Sequence, residues 1–176
     1  MFFPRRALSA LVAGFAVFLA GPFAVPTAAA QDPDLISISG AYFDIWHRRD
    51  PAAEARLEYR FGRRFWIVKP FVGVMGTSDF GGYAYGGILM DLYFGKHFVL
   101  TPSFAPGLYA HGSGKDLGYP IEFRSQIEAS WRFDDQSRLG LSYSHMSNAH
   151  LGDKNPGVES LALTYAMPVS KLFNRK

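Results

Sequence analysis

The chain has 176 residues, no cysteine, 48% hydrophobic residues, and Lys+Arg 18 against Asp+Glu 15. These figures suit one domain around one enclosed interior, exclude a disulfide-built scaffold, and leave no charge excess that would serve nucleic acid. Most of the apparent basicity lies at the two termini, in Arg5 and Arg6 and in the closing "KLFNRK".

Arg5 and Arg6 precede an apolar run from Ala7 to Ala20, which Gly21, Pro22 and Pro26 break before Ala28-Ala29-Ala30. That order is a secretory signal peptide with cleavage near Ala30. Residues 1–30 are therefore assigned to the signal and 31–176 to a barrel domain. Removing the signal takes away two basic residues and no acid, so the remainder is close to neutral. No later stretch supplies the ~20 consecutive apolar residues of a membrane-spanning helix.

From Leu35 onward the sequence divides into eight strand-like segments: 35–45, 52–60, 65–75, 82–93, 98–109, 121–133, 137–147 and 159–169. Each is near the ~9–11 residues a tilted strand needs to cross a bilayer core. In the second, Ala53, Ala55, Leu57 and Tyr59 share one face, and Glu54, Arg56, Glu58 and Arg60 the other. In the third and fourth, Lys69 and Asp91 put the odd positions inside and leave Val68, Val72, Val74, Ile88, Met90 and Leu92 towards lipid. Pro70, Pro102 and Pro106 fall within strands, each removing a ladder donor, which predicts bulges or irregular pairing there. In the sixth, Ile121, Phe123, Ile127, Ala129, Trp131 and Phe133 oppose Glu122, Arg124, Gln126, Glu128 and Arg132.

Alternation alone does not say which face is inside; a lipocalin-like carrier puts the oil within, a membrane barrel inverts it. The connections favour the inversion. The links "WHRRDP", "GTSDFGG", "AHGSGKDLGYP" and "NAHLGDKNPG" are long, whereas "FGRR", "GKH" and "DDQS" are short, as outer loops and periplasmic turns are. Aromatics gather at both ends: Phe61, Phe65, Trp66, Phe94, Phe98, Trp131 and Phe133 beside the short turns, and Trp46, Phe80, Tyr83, Tyr109 and Tyr119 beside the loops. The expected fold is all-β: an eight-stranded antiparallel transmembrane β-barrel. The charged positions Glu54, Arg56, Glu58, Arg60, Glu122, Arg124, Glu128 and Arg132 then form an ion-pair network filling a narrow interior, which excludes a wide pore.

The last two segments break the apolar pattern. Leu139, Leu141, Tyr143, His145 and Ser147 share a face, as do Glu159, Leu161, Leu163, Tyr165 and Met167 on the next strand. With oil outside, His145, Ser147 and Glu159 project outward at the loop-side rim, within cross-strand reach of ~5 Å. A serine needs an adjacent base, an imidazole suits that task near neutral pH, and a carboxylate on its second nitrogen fixes the tautomer. Asn148 and Asn155 offer donors for an oxyanion. Polar rim residues that merely meet headgroups remain the plain alternative.

The stretch "HMSNAHLGDKNPGVE" (His145 to Glu159) resembles the signature of the PagL-type lipid A 3-O-deacylases, a family of eight-stranded outer-membrane barrels. In that family the motif runs approximately His-x-Ser-Asn-Ala-Gly, then Pro-Asn-x-Gly, then Glu. The resemblance implies Ser147 as nucleophile, His145 as base and Glu159 as orienting acid. Asn148 matches the asparagine after the nucleophile, Asn155 the loop asparagine of the oxyanion hole, and Gly157 the turn glycine. Two positions depart: His150 stands where the family has glycine, and Lys154 where it has proline. A left-handed backbone at His150 would carry a cost that a negative φ would not.

The resemblance further implies an esterase of the Gram-negative outer membrane. It would remove the ester-linked 3-hydroxyacyl chain at position 3 of lipid A or lipopolysaccharide in the outer leaflet. No cofactor, metal or nucleic acid is expected, and His47, His97, His111 and His150 do not form a metal spacing. Oligomeric state is left open, a homodimer included. "HRRD" (His47 to Asp50) and "GSGKD" (Gly112 to Asp116) put cations in outer loops, as lipid A phosphate contacts or as ordinary solvated charge. The rivals are a non-enzymatic barrel (adhesin or structural), a hydrolase or acyltransferase acting on another lipid, and a soluble carrier.

Overall fold

Glu54, Arg56, Glu58 and Arg60 alternate with apolar neighbours, and in the computed structural model the charged set is buried and Ala53, Ala55 and Leu57 are exposed. The structure describes residues 32–46 and 49–173; the assigned signal peptide, His47 and Arg48 lie outside them. The elements are β1 (Leu35–Phe43), β2 (Ala52–Arg60), β3 (Lys69–Thr77), β4 (Gly82–Leu89), β5 (Leu92–Phe94), β6 (Phe98–Ala110), β7 (Ile121–Arg132), β8 (Arg138–Ser147), β9 (Val158–Pro168) and a short α1 (Ser170–Phe173). β4 and β5 both pair with β6 and make one stave, so nine segments build eight staves. All pairings are antiparallel, and β1 pairs with both β2 and β9, which closes the sheet. Closure leaves no free edge.

Several boundaries differ from the sequence reading, and a residue with positive φ accounts for two of them. The third strand begins at Lys69, because Phe65 and Val68 exchange backbone hydrogen bonds of 2.8 and 3.2 Å around Trp66, whose φ is 59°. The first ends at Phe43, because Asp44 turns the chain with φ 60°. Irregular pairing appears where the prolines predict it. The β4–β6 register skips Gly86 and Gly87, across from Pro106 and Ala105. It lapses again at Met90 and Asp91, across from Pro102 and Thr101. At the first gap a Cβ on Gly87 would lie 2.1 Å from the Phe104 carbonyl oxygen, so the strands approach there only around glycine. Pro70, by contrast, keeps its place in the ladder opposite Ile88.

Oil is outside and charge within. Ile38, Leu57, Val72, Val74, Ile88, Ile127, Leu141 and Leu163 are exposed along the staves. Inside, Glu58 accepts from Arg124 (2.6 Å), from Arg60 (2.9 Å) and from Tyr85 Oη (2.9 Å). Arg60 also reaches Glu128 (2.7 Å), while Arg56 binds Glu54, Gln126 (2.6 Å) and Ser144 (3.0 Å). Buried ions are tolerated because each is paired and further hydrogen-bonded. Glu122 is the exception within the expected network: it is fully buried, and neither carboxyl oxygen has a hydrogen-bond partner among the described residues. Arg132 also stands apart from that network, over the Tyr93 ring at 5.4 Å from its centroid.

The turn-side aromatic girdle is exposed as expected, from Phe61 to Phe133. On the loop side Trp46, Phe80 and Tyr119 are exposed, but Tyr83 and Tyr109 are not part of a girdle. Both lie on inward parities and are buried. Tyr83 donates to the carbonyls of Ala105 and Glu122, and Tyr109 to that of Lys115.

Candidate active site

The β8–β9 register sets His145 directly across from Glu159. On that outward face His145 Nδ1 lies 3.0 Å from Glu159 Oε1. The imidazole is about half exposed, at 47%, and the carboxylate is sheltered at 13%, so the pair opens on the lipid-facing side. Binding the acid at Nδ1 places the proton there and leaves Nε2 as the basic nitrogen. The Cε1–Nε2 edge packs against Gly157, where an added Cβ would stand 3.0 Å from Cε1 and 3.7 Å from Nε2. Ser147 is two residues beyond His145 on the same face, in the row that Gly157 continues. Among the described residues no hydrogen bond joins Ser147 Oγ to the ring; the bond in place is the His–Glu one.

Gly157 also has φ +64°, which a side chain adopts at a cost of ~1 kcal/mol or more. Gly157→Ala therefore strains the turn and pushes the imidazole off its position. A displacement of ~1 Å at a reacting group costs about 10²-fold. In an assay of the activity proposed below, the expected result is a rate about 10- to 100-fold lower, with the barrel still assembled on heat-modifiable gels. An unchanged rate would show that the ring does not depend on this turn.

After Ser147 the chain turns sharply. Ala149 and His150 have φ 53° and 64°, so His150 does take the left-handed backbone that its departure from glycine made costly. Asn148 explains how that turn is held. It is fully buried, its amide donates to Leu117 O (2.8 Å) and Lys154 O (2.7 Å), and its Oδ1 accepts from His150 N–H (2.9 Å). Its own N–H donates to Asn155 Oδ1 (3.1 Å). Asn148 thus has its hydrogens committed to the loop. Asn155 Nδ2 lies 3.3 Å from His150 Nδ1 and Asn155 is half-buried. The Ala149 N–H has no acceptor recorded among the described residues.

Several neighbours escaped the sequence reading. Ser125, exposed on the outer face, stands across from His145 on β7. Its odd position in an otherwise apolar row was the available signal. Trp46 Nε1 donates to Tyr143 Oη (3.1 Å), which places an indole–phenol bar one row below the His–Glu pair. Lys115, read as an outer-loop cation that either contacts lipid A phosphates or is simply solvated, is buried and donates to Asp44 (2.6 Å) instead. Burial alone would raise the Asp44 carboxyl, but Lys115 and the N–H groups of Asp50 and Arg49 outweigh it and hold it below its ordinary value. The Gly118 N–H, with Lys154, similarly lowers the exposed Asp116.

Residues 89–168 match the model of the family described as lipid A 3-O-deacylase (PagL), a segment that contains His145, Ser147, Asn148, Asn155 and Glu159. The chain is 30% identical over 73 residues to a lipid A deacylase PagL of Bordetella bronchiseptica, covering 40% of this chain and 41% of that protein. It is 34% identical over 55 residues to a lipid A deacylase PagL of Pseudomonas aeruginosa, covering 31% and 32%. The matched stretches therefore span less than half the length of these curated relatives. In fold, the chain is similar to the crystal structure of the outer membrane enzyme PagL, with TM-score 0.60 and 16% identity over 77% of this chain and 99% of that one. Neisserial surface protein A is similar at TM-score 0.58 and 10% identity, over 77% and 95%.

Closed staves with an apolar exterior, and a His–Glu pair beside a serine on that exterior, define an outer-membrane β-barrel with a polar cluster at its rim. Over residues 89–168 the chain is similar to the PagL family, and in fold it is similar to the PagL barrel.

Proposed function

We propose that this protein hydrolyses the ester-linked 3-hydroxyacyl chain at position 3 of lipid A, with Ser147 as nucleophile, His145 as base and Glu159 as orienting acid. The observation that carries the reading is the His145–Glu159 hydrogen bond, formed in register on the outer face with Ser147 beside it. The names of the relatives supply the substrate class.

In this reading Ser147 Oγ attacks the ester carbonyl while His145 Nε2 takes its proton. Glu159 stabilises the imidazolium and keeps Nδ1 protonated. The tetrahedral oxyanion is met by donors of the loop; Asn155 and the Ala149 N–H are the available ones, and Asn148 acts as a positioning residue. The imidazolium then protonates the departing sugar oxygen. Water, deprotonated by the same imidazole, cleaves the acyl-serine to a free 3-hydroxy fatty acid and regenerates the hydroxyl. The residues complete this cycle without a cofactor. Placement on the lipid face suits the substrate, because an ester near the headgroup–acyl boundary can reach the rim by lateral diffusion.

Expression of the chain in a Gram-negative host, with lipid A and released fatty acids read by mass spectrometry, tests the proposal. The expected result is loss of one 3-hydroxyacyl group and appearance of the free acid. Unaltered lipid A, or a lysophospholipid or acylated acceptor in its place, would reject it.

A further inference from the structure

We propose that the loop between β6 and β7 is an internal strut for the candidate active site, with Lys115 and the Leu117 backbone as positioning groups that hold the acid's strand and the nucleophile's loop at a fixed separation. The inference rests on the deacylase reading for its assay and on separate geometry for its substance.

The loop, residues 111–120, turns into the barrel mouth. Lys115 and Leu117 are buried, at 6% and 1% exposure, and Tyr109 Oη donates to the Lys115 carbonyl (2.9 Å). A charged and an apolar side chain are thus both taken out of water in a segment of otherwise polar composition. Each of its two anchors ends beside one arm of the reactive trio. On one side Lys115 Nζ donates to Asp44 Oδ1 (2.6 Å). Asp44 Oδ2 accepts from the N–H groups of Arg49 (3.0 Å) and Asp50 (3.1 Å), which fixes the chain leaving β1. The next residue, Ile45, donates its N–H to the carbonyl of Glu159 (3.2 Å). On the other side the Leu117 carbonyl accepts from Asn148 Nδ2 (2.8 Å), and Asn148 directly follows Ser147.

The two loops also meet backbone to backbone. A Cβ on Gly118 would lie 2.5 Å from the Lys154 carbonyl oxygen, and one on Gly152 would lie 2.6 Å from the Gly118 carbonyl oxygen. Glycines at both places let the strut reach the nucleophile's loop directly. The β8–β9 ladder sets His145 against Glu159 but ends at Met146 and Val158, before Ser147. Ser147 still pairs with Phe123 of β7, so its β9-facing side and the turn that follows are what depend on loop contacts, and the strut supplies those that come from across the mouth.

The test uses the full-length protein refolded in detergent with purified lipid A in mixed micelles. Lys115→Met should lower kcat by roughly 10- to 100-fold with KM within about twofold, because the substrate surface is untouched while the reacting groups lose registration. Lys115→Arg, which keeps the ion pair, should recover kcat to within about threefold of the parent. Lys115→Met removes the Lys115–Asp44 ion pair, so Asp44→Asn with Lys115→Met provides a second variant in which the carboxylate is gone as well. Asparagine keeps an acceptor for Arg49 and Asp50 and tolerates the left-handed backbone.

The double variant should fold and keep the low kcat. Parent-like kcat in either the single or the double variant overturns the strut. A parent protein that leaves lipid A intact counts against the deacylase reading alone. The strut is then read from backbone hydrogen exchange over residues 148–157, where the double variant should exchange at least tenfold faster, and unchanged exchange overturns it.

Discussion

Under the proposed mechanism, Ser147→Ala is expected to abolish deacylation, with a fall in kcat on the order of 10⁶-fold, while the protein still reaches the outer membrane and runs as a heat-modifiable barrel. The methyl group keeps the strand and the exposed face intact, so only the attacking oxygen is lost. Glu159→Gln should fall less far, by about 10⁴-fold. The amide preserves shape, but its N–H can oppose Nδ1 and hold the imidazole in the tautomer that lacks a basic Nε2. The order of the two effects is the informative part. Comparable residual rates above about 10⁻² of the parent, a loss of only about 2.7 kcal/mol against the ~8 kcal/mol of a 10⁶-fold fall, would show that Ser147 is not the nucleophile. Kinetics on micellar lipid A, with product masses as the check, decide it.

Glu58→Leu is expected to destabilise the barrel by about 3–5 kcal/mol, because it removes one partner of a buried charge set. Glu58 is the carboxylate that Arg124 reaches at 2.6 Å, and Arg124 is itself fully buried over the Tyr85 ring at 4.1 Å. Arg60 retains Glu128, but Arg124 is left as an uncompensated cation in a narrow interior. Unfolding in urea from detergent micelles should show the lowered midpoint. The double variant Glu58→Leu with Arg124→Met should regain most of the loss, since an apolar pair carries no desolvation cost. A single variant with the parent's midpoint would mean that water, and not the protein, solvates Arg124.

Comparison with the PagL structure and with Neisserial surface protein A yields similar TM-scores, so the barrel by itself does not select an activity. The proposed activity rests on the rim instead. His145, Ser147 and Glu159 interrupt an apolar face at positions where lipid contact would favour leucine, and the matched family segment spans all three.

Much of this was legible in the residues. Strict alternation in β2 and β7 states two faces, and Lys69 with Asp91 resolves the parity of β3 and of the β4–β5 stave. Each is a local, period-two signal that survives into the folded chain. The His145–Glu159 register was legible for the same reason, since a hairpin between adjacent strands sets it. What escaped depends on groups far apart in sequence meeting inside a closed mouth. Lys115 finds Asp44 across 71 residues, Asn148 finds the Leu117 carbonyl across 31, and Tyr83 and Tyr109 turn inward to fill the same space. Local alternation states the strands, their faces and the polar row at the rim; closure of the barrel selects which loop groups are buried, because only then does each polar atom exchange water for a particular partner.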